Sequence, residues 1–190
     1  MKNNEISNYI TKIRNNLENI YNAFYLWKSL QNAKYNIIYN KYKYFWVIVI
    51  ISLQQNWLLG IPKLFEESKE GRKEVISIPF LLKFIPEGKD KEEIKKEIDK
   101  QKPILKNIKI WRNKILAHQD KIVVDDVKDF YKKYPIEGKQ VETLLNSIAK
   151  IIGRIESTTN KSSIIYSYYR FKEESKQNLD SIVSTLMKDV

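Results

Sequence analysis

The spacing of apolar residues at the start of the chain constrains its fold more tightly than any other feature. Ile6, Ile10, Ile13, Leu17, Ile20, Phe24 and Trp27 follow one another at intervals of 4, 3, 4, 3, 4 and 3. On a chain that turns every 3.6 residues this lines one stripe, nearly a heptad seam. The pattern predicts an amphipathic helix from about residue 4 to about residue 31, with Lys12, Arg14, Asn15, Asn16 and Glu18 on its outer face.

A second helix is expected from about Ala33 through Leu59. Tyr35, Ile38, Tyr39, Tyr42, Phe45 and Trp46 lead into its apolar stretch, and Gly60, Ile61 and Pro62 end it. Two long helices joined by a short polar turn make an antiparallel hairpin. The run FWVIVIISL, Phe45 to Leu53, is interrupted by Gln54, Gln55 and Asn56. It falls well short of the roughly 20 residues a spanning helix needs. We therefore expect a helix buried inside the protein and no membrane partner.

Downstream, ISIPFLLKFIPEGKD predicts a short helix around Phe80 to Phe84 between Pro79 and Pro86. Apolar marks at Ile94, Ile98, Ile104 or Leu105, Ile108 and Trp111 keep helical spacing on both sides of Pro103. They fit either one helix kinked at Pro103 or two helices, the second running from Pro103 to His118. The run DKEEIKKEIDKQK reads as a solvated face with charge pairs four apart. KIVVDDVKDFYKKYPIEGK reads as a loop with one helical turn. Val141, Leu144, Leu145, Ile148, Ile151 and Ile152 mark a helix over Lys139 to Ile155, and a last one is expected over Ile165 to Met187. Trp27, Trp46, Trp57, Trp111 and Leu116 are expected in the core or in an interface.

Five glycines and five prolines in 190 residues leave few turns for a many-stranded sheet. The reading is an all-α bundle of four or five principal helices forming a single domain over residues 1–190. With no cysteine, neither a disulfide framework nor a thiolate zinc site is available. Met1 opens a polar segment rather than a signal peptide, so a cytoplasmic location is expected. The formal net charge of +11 favours polyanions such as RNA, DNA or anionic lipid, although charge alone decides nothing.

The chain has no glycine-rich phosphate loop, HExxH, Cys/His cluster or GxSxG elbow. What remains is WRNKILAHQD, residues 111 to 120, which holds the only histidine. Cleavage of RNA by its own 2′-hydroxyl needs a group that moves protons near neutral pH and a cation that stabilises the charge building on phosphorus. An imidazole with an ordinary pKa of about 6.5 and a guanidinium supply these, with no metal or other cofactor.

Spacing adds a condition. On a straight helix, Arg112 and His118 point about 120° apart and stand roughly 9 Å apart along the axis. His118 instead shares a face with Trp111 and Lys114. Either the helix ends or distorts just before His118, or a second copy of the chain supplies the complementary half and with it a second histidine. Each residue also has a plainer reading. His118 could be a C-terminal cap favoured by the helix dipole, and Arg112 an ordinary surface ion pair with Glu or Asp.

The stretch RNKILAH, with Arg112, the polar Asn113 and His118, resembles the R-polar-x(3–5)-H signature of the HEPN superfamily. With the long apolar helix and IPFLLKFI before it, the context is similar to the abortive-infection U-like (AbiU-type) branch. The resemblance implies a HEPN-like helical bundle with an up-and-down core and an N-terminal helical hairpin. It also implies a homodimer with the two motifs facing across a cleft, and metal-independent endoribonuclease activity on RNA in toxin-antitoxin or phage-defence settings, with an antitoxin protein as a further partner.

By position, the resemblance makes Arg112 the group that stabilises the scissile phosphate, Asn113 one that orients the pair or contacts the substrate, and His118 the proton carrier. Lys114, Asp120 and Lys121 are candidate substrate contacts. Members of the superfamily also include inactive RNA-binding or structural modules. In the toxins silenced by nucleotidyl transfer, a tyrosine stands two residues after the histidine; here that position is Asp120. Tyr166, Tyr168 and Tyr169 are read as packing and interface residues.

Overall fold

The computed structural model describes residues 3–32, 35–67, 69–70, 73–117, 127–160 and 169–188. The fold is all-α. Its principal helices are α1 (Asn3–Leu30), α2 (Asn36–Lys41), α3 (Lys43–Lys63), α4 (Ile78–Leu81), α5 (Lys89–Trp111), α6 (Val127–Lys133), α7 (Gly138–Asn160) and α8 (Tyr169–Lys188). The only extended pairing among the described residues is a two-residue antiparallel ladder, β1 (Lys69–Glu70) against β2 (Lys73–Glu74). Contacts divide the chain into two compact units, Met1–Leu17 with Leu58–Tyr166 and Glu18–Trp57 with Ser167–Val190.

In the first unit, α7 turns its whole apolar stripe inward: Val141, Leu144, Leu145, Ile148, Ile151, Ile152 and Ile155 are all buried. Ile10, Ile13 and Leu17 of α1 are buried as the seam predicted. Arg14 departs from the expected outer face. It is buried and ion-paired with the buried Glu156 of α7. A guanidinium can leave water only beside an opposite charge, and the sequence pattern of α1 contains no sign of that distant carboxylate.

The short helix after Ser77 forms as predicted. The Ser77 side chain accepts a bond from the Phe80 N–H at 3.3 Å, and a 3-10 turn over Leu82–Phe84 follows. Gly88 starts α5 at φ 153° and ψ −171°, a conformation open essentially to glycine alone. Of the two readings at Pro103, the single helix holds, with α5 continuous from Lys89 to Trp111. Its early charges are less solvated than expected. Lys91 is buried and donates to the Ile85 carbonyl at 3.2 Å and to Glu87 at 2.6 Å. Glu93 and Glu97 reach α7, meeting Arg154 at 3.0 Å and the Ser147 hydroxyl at 2.7 Å. The Ser147 hydroxyl, and after it Lys100, hold the Glu97 carboxyl below the usual carboxylate range.

In the second unit, Phe24 and Trp27 of α1 meet the Trp57 ring of α3 at 5.9 and 5.4 Å, while Leu30 packs in one cluster with Tyr35, Trp46 and Leu179. The expected hairpin is therefore present, but its second arm is broken between Lys41 and Lys43. The Tyr39 hydroxyl donates to the Leu30 carbonyl, and burial, with Tyr35 nearby, pushes its pKa up to about 12. Tyr35 donates to Asp180 of α8 at 2.5 Å.

Two expectations about α3 are corrected. The helix does not stop at Gly60 but runs through Pro62 to Lys63, because Ile61, Leu64 and Phe65 beyond the glycine are buried and hold the backbone in register. Nor is its apolar stretch buried: Tyr44 is 86% exposed, Ile48 65%, Phe45 58%, Ile51 47% and Val47 45%. Trp46 and Trp57 take the inward positions. Apolar residues occupy every face of this helix, and only one face finds a partner. By length and composition alone α3 is long and apolar enough to cross a membrane, with a glutamine and asparagine break at its centre.

Candidate functional site

The end of α5 is fixed before the motif begins. Trp111 is buried and its Nε1 donates to the Tyr134 carbonyl at 2.7 Å. Phe130 and Tyr131 of α6 pack on the ring at 5.8 and 4.8 Å. One turn earlier, the Asn107 side chain donates to the Pro135 carbonyl at 2.9 Å. Two side chains of α5 thus tie it to the chain that follows the motif, and an indole bonded at its N–H has little freedom to tilt.

Past Trp111 the helix changes character. The Arg112 N–H is shared between the carbonyls of Ile108 and Lys109, and from Arg112 to Ala117 the backbone is π-helical. Such stretches, bonded five residues back instead of four, pack less well than α-helix and concentrate at functional sites. The helix is thus distorted before His118, which itself lies outside the described residues.

Arg112 is partly buried, its side chain 27% exposed. Its Nε donates to Asn113 Oδ1 at 3.0 Å, and its Nη1 lies 3.4 Å from Glu66 Oε1. Asn113 Oδ1 therefore fixes one edge of the guanidinium. Glu66 was missed by the sequence reading. It stands in the turn after α3, which is secured by the buried Leu64 and Phe65 and by the Ile78 N–H bonding to the Leu64 carbonyl at 2.9 Å. No local signal in the sequence couples it to a residue 46 positions later.

The ion pair is the arrangement the plainer reading of Arg112 expected, and at this length and exposure it adds little stability. Its effect is to hold a cation in place with its charge partly offset. Two of the five guanidinium donors are accounted for by Asn113 and Glu66.

Lys114 follows on the π-helical stretch, partly buried and engaged in an interaction of its own. His118, Asp120 and Lys121 lie outside the described residues, as do Tyr166 and Tyr168. The described structure thus brings together Arg112 and Asn113 of the predicted set and adds Glu66. No group of three or more His, Asp or Glu side chains that could hold a metal occurs among the described residues. An open groove of about 420 Å³ between α5 and α7, lined by Lys100, Pro103, Ile104, Asn107, Pro135 and Thr143, contains none of these residues.

Comparison with curated proteins and with solved structures finds no match. Comparison with protein families does: the family model described as AbiU2, of the HEPN type, matches residues 3–179. That span includes the whole RNKILAH motif and most of each compact unit. The chain belongs to the AbiU2 family of HEPN proteins.

Proposed function

We propose that this HEPN module is a metal-independent endoribonuclease of toxin-antitoxin or phage-defence systems, working as a homodimer. The observation that carries the reading is the Arg112 guanidinium, held by Asn113 Oδ1 where α5 turns π-helical, six residues before the only histidine. In the reaction, the RNA 2′-hydroxyl attacks the adjacent phosphorus while His118 takes its proton. Arg112 stabilises the negative charge on the phosphoryl oxygens. The P–O5′ bond breaks, the leaving oxygen receives a proton from the second copy's imidazole, and a 2′,3′-cyclic phosphate remains. A phosphate entering the site would compete with Glu66 for the guanidinium, so the resting ion pair keeps the cation oriented until substrate displaces it.

The face that α3 leaves exposed supports a second copy as partner. Two aromatic side chains, Tyr44 and Phe45, of about 150–250 Å² each, with Val47, Ile48 and Ile51 beside them, supply apolar surface on the scale of the ~800 Å² per partner that a standard interface buries. An antitoxin protein covering the site, a cytoplasmic location and the absence of a membrane partner complete the proposal. Asp120 and Lys121, just after the histidine, are assigned with Lys114 to substrate contact.

The test is RNA cleavage in EDTA by wild type, Arg112→Ala and His118→Ala, each checked for helicity and dimer mass. Wild type should cleave and leave a cyclic phosphate, and Arg112→Ala should lose about 10²–10³ in kcat, the usual loss for a donor aimed at developing charge. Cleavage that survives His118→Ala sinks the mechanism. The Arg112–Glu66 pair also fits a second reading, a non-catalytic module that binds RNA or a protein partner. RNA binding without cleavage by any of the three proteins would select it.

A further inference from the structure

The charges of α5 are not distributed evenly. Up to Asp99 the helix and its lead-in mix signs: Glu87, Asp90, Glu92, Glu93, Glu97 and Asp99 alternate with lysines. Several of these are paired, Lys89 with Glu93, Lys91 with Glu87 and Glu93 with Arg154. From Lys100 to Gln119 there is no acidic residue at all, and Lys100, Lys102, Lys106, Lys109, Arg112 and Lys114 follow one another into the motif.

Three of these cations share a face. Lys102, Lys106 and Lys109 are spaced four and three apart and all are exposed, as is Asn113 four residues further on. Leu105, Ile108 and Trp111 occupy the opposite, buried side. Residues at these intervals have Cβ atoms about 5–6 Å apart on a helix surface, so the three lysines stand in a single file that ends one turn before Arg112. Only Lys102 is paired within the helix, with Asp99 at 2.7 Å, and both groups are more than half exposed. The helix dipole accounts for cations in the last turn, where Lys109 and Arg112 stand, but its effect does not extend to Lys102 and Lys106.

We propose that Lys102, Lys106 and Lys109 form a track for the phosphate backbone of single-stranded RNA, leading the strand along α5 to Arg112. The file is one residue wide and follows one backbone, whereas a duplex presents two. The inference rests on the ribonuclease reading only for naming the polyanion as RNA, since the track itself is argued from charge and exposure. It implies that affinity is set largely by counterion release along α5 and that Arg112 acts on a strand already held.

The experiment is binding of a fluorescein-labelled oligouridylate across a salt titration, by wild type, by Lys102→Gln/Lys106→Gln/Lys109→Gln, and by a control triple, Lys89→Gln/Lys95→Gln/Lys96→Gln, on the mixed half of the helix. Circular dichroism checks that each folds. The track variant should bind at least tenfold more weakly at low salt, with the slope of log affinity against log salt reduced by about 2, as three lost phosphate contacts require. The control should bind like wild type.

Equal losses in both triples, no loss in either, no binding by wild type, or equal competition by a duplex of the same length would each overturn the track. Cleavage by the same proteins separates the two readings. A wild type that binds through the three lysines yet cleaves nothing upholds the track and overturns the nuclease. One that cleaves, with KM and salt slope unchanged in the track variant, does the reverse.

Discussion

Helices α3 and α7 are nearly equal in length, and α3 is much the more apolar, yet α7 is the one that builds a core. In α7 the large apolar residues keep to one stripe, and every Val, Leu and Ile from Val141 to Ile155 is buried. In α3 they surround the axis, and Tyr44, Phe45, Val47, Ile48 and Ile51 stand exposed while Trp46, Trp57, Leu58 and Ile61 face inward. Hydrophobic content says how much surface a helix would gain by burying. Periodicity says how much of it one neighbour can cover, and for α3 that is one face.

The contrast can be broken or sharpened by substitution. The largest effect is expected where α7 takes a charge out of water: Glu156→Ala removes the carboxylate ion-paired with the buried Arg14 and should cost about 3–5 kcal/mol in chemical denaturation. A loss below about 1 kcal/mol would mean that the Arg14 charge is held by more than Glu156 and that the pair does not set the inner face of α7.

Next comes a matched pair. Leu144→Ala in α7 removes a fully buried side chain and should cost about 2–5 kcal/mol, whereas Ile48→Ala in α3 should change stability by no more than about 0.5 kcal/mol. Equal losses would erase the distinction between the two helices. Ile48→Glu should likewise leave the fold unchanged by circular dichroism but lower the mass measured by light scattering to that of one chain. An unchanged mass with Ile48→Glu would remove α3 from the proposed dimer.

The smallest effect concerns the polar edge of α7. Ser147 keeps the Glu97 carboxyl more acidic than usual, so its contribution is present above the ordinary carboxylate pKa and is lost as pH falls through the lowered one. Ser147→Ala should flatten that acid limb by about 1 kcal/mol or less, since Glu97 is partly exposed. An NMR titration of Glu97 that does not move toward the ordinary range on Ser147→Ala would assign the shift elsewhere.

The same division governs how the site could be read. Arg112 was recognisable because stabilising a scissile phosphate calls for a guanidinium, and Asn113 because it fills the polar position of the HEPN signature next to it. Counting angles predicted either a distorted helix end or a second copy of the chain, and the π-helical stretch from Arg112 to Ala117 shows that the helix is distorted there. Glu66 was not legible, because its meeting with Arg112 depends on how the turn after α3 is seated and not on any pattern near either residue. Lys91 and Arg14 were placed on solvated faces for a related reason: helical phase gives a direction, and only the neighbouring helix decides whether that direction is wet.

From sequence alone came the helices over about residues 4–31 and 139–155, helical spacing on both sides of Pro103, the all-α class and the HEPN motif. All of these are encoded by residues within a few turns of one another, where spacing and side-chain chemistry suffice. Tertiary structure decided the rest. It carried α5 through Pro103 and α3 past Gly60, buried the Arg14–Glu156 pair, exposed one face of α3 and set Glu66 beside Arg112. Each of those outcomes depends on whether a distant segment covers a given face or meets a given charge, a free-energy difference that exists only once the helices have packed.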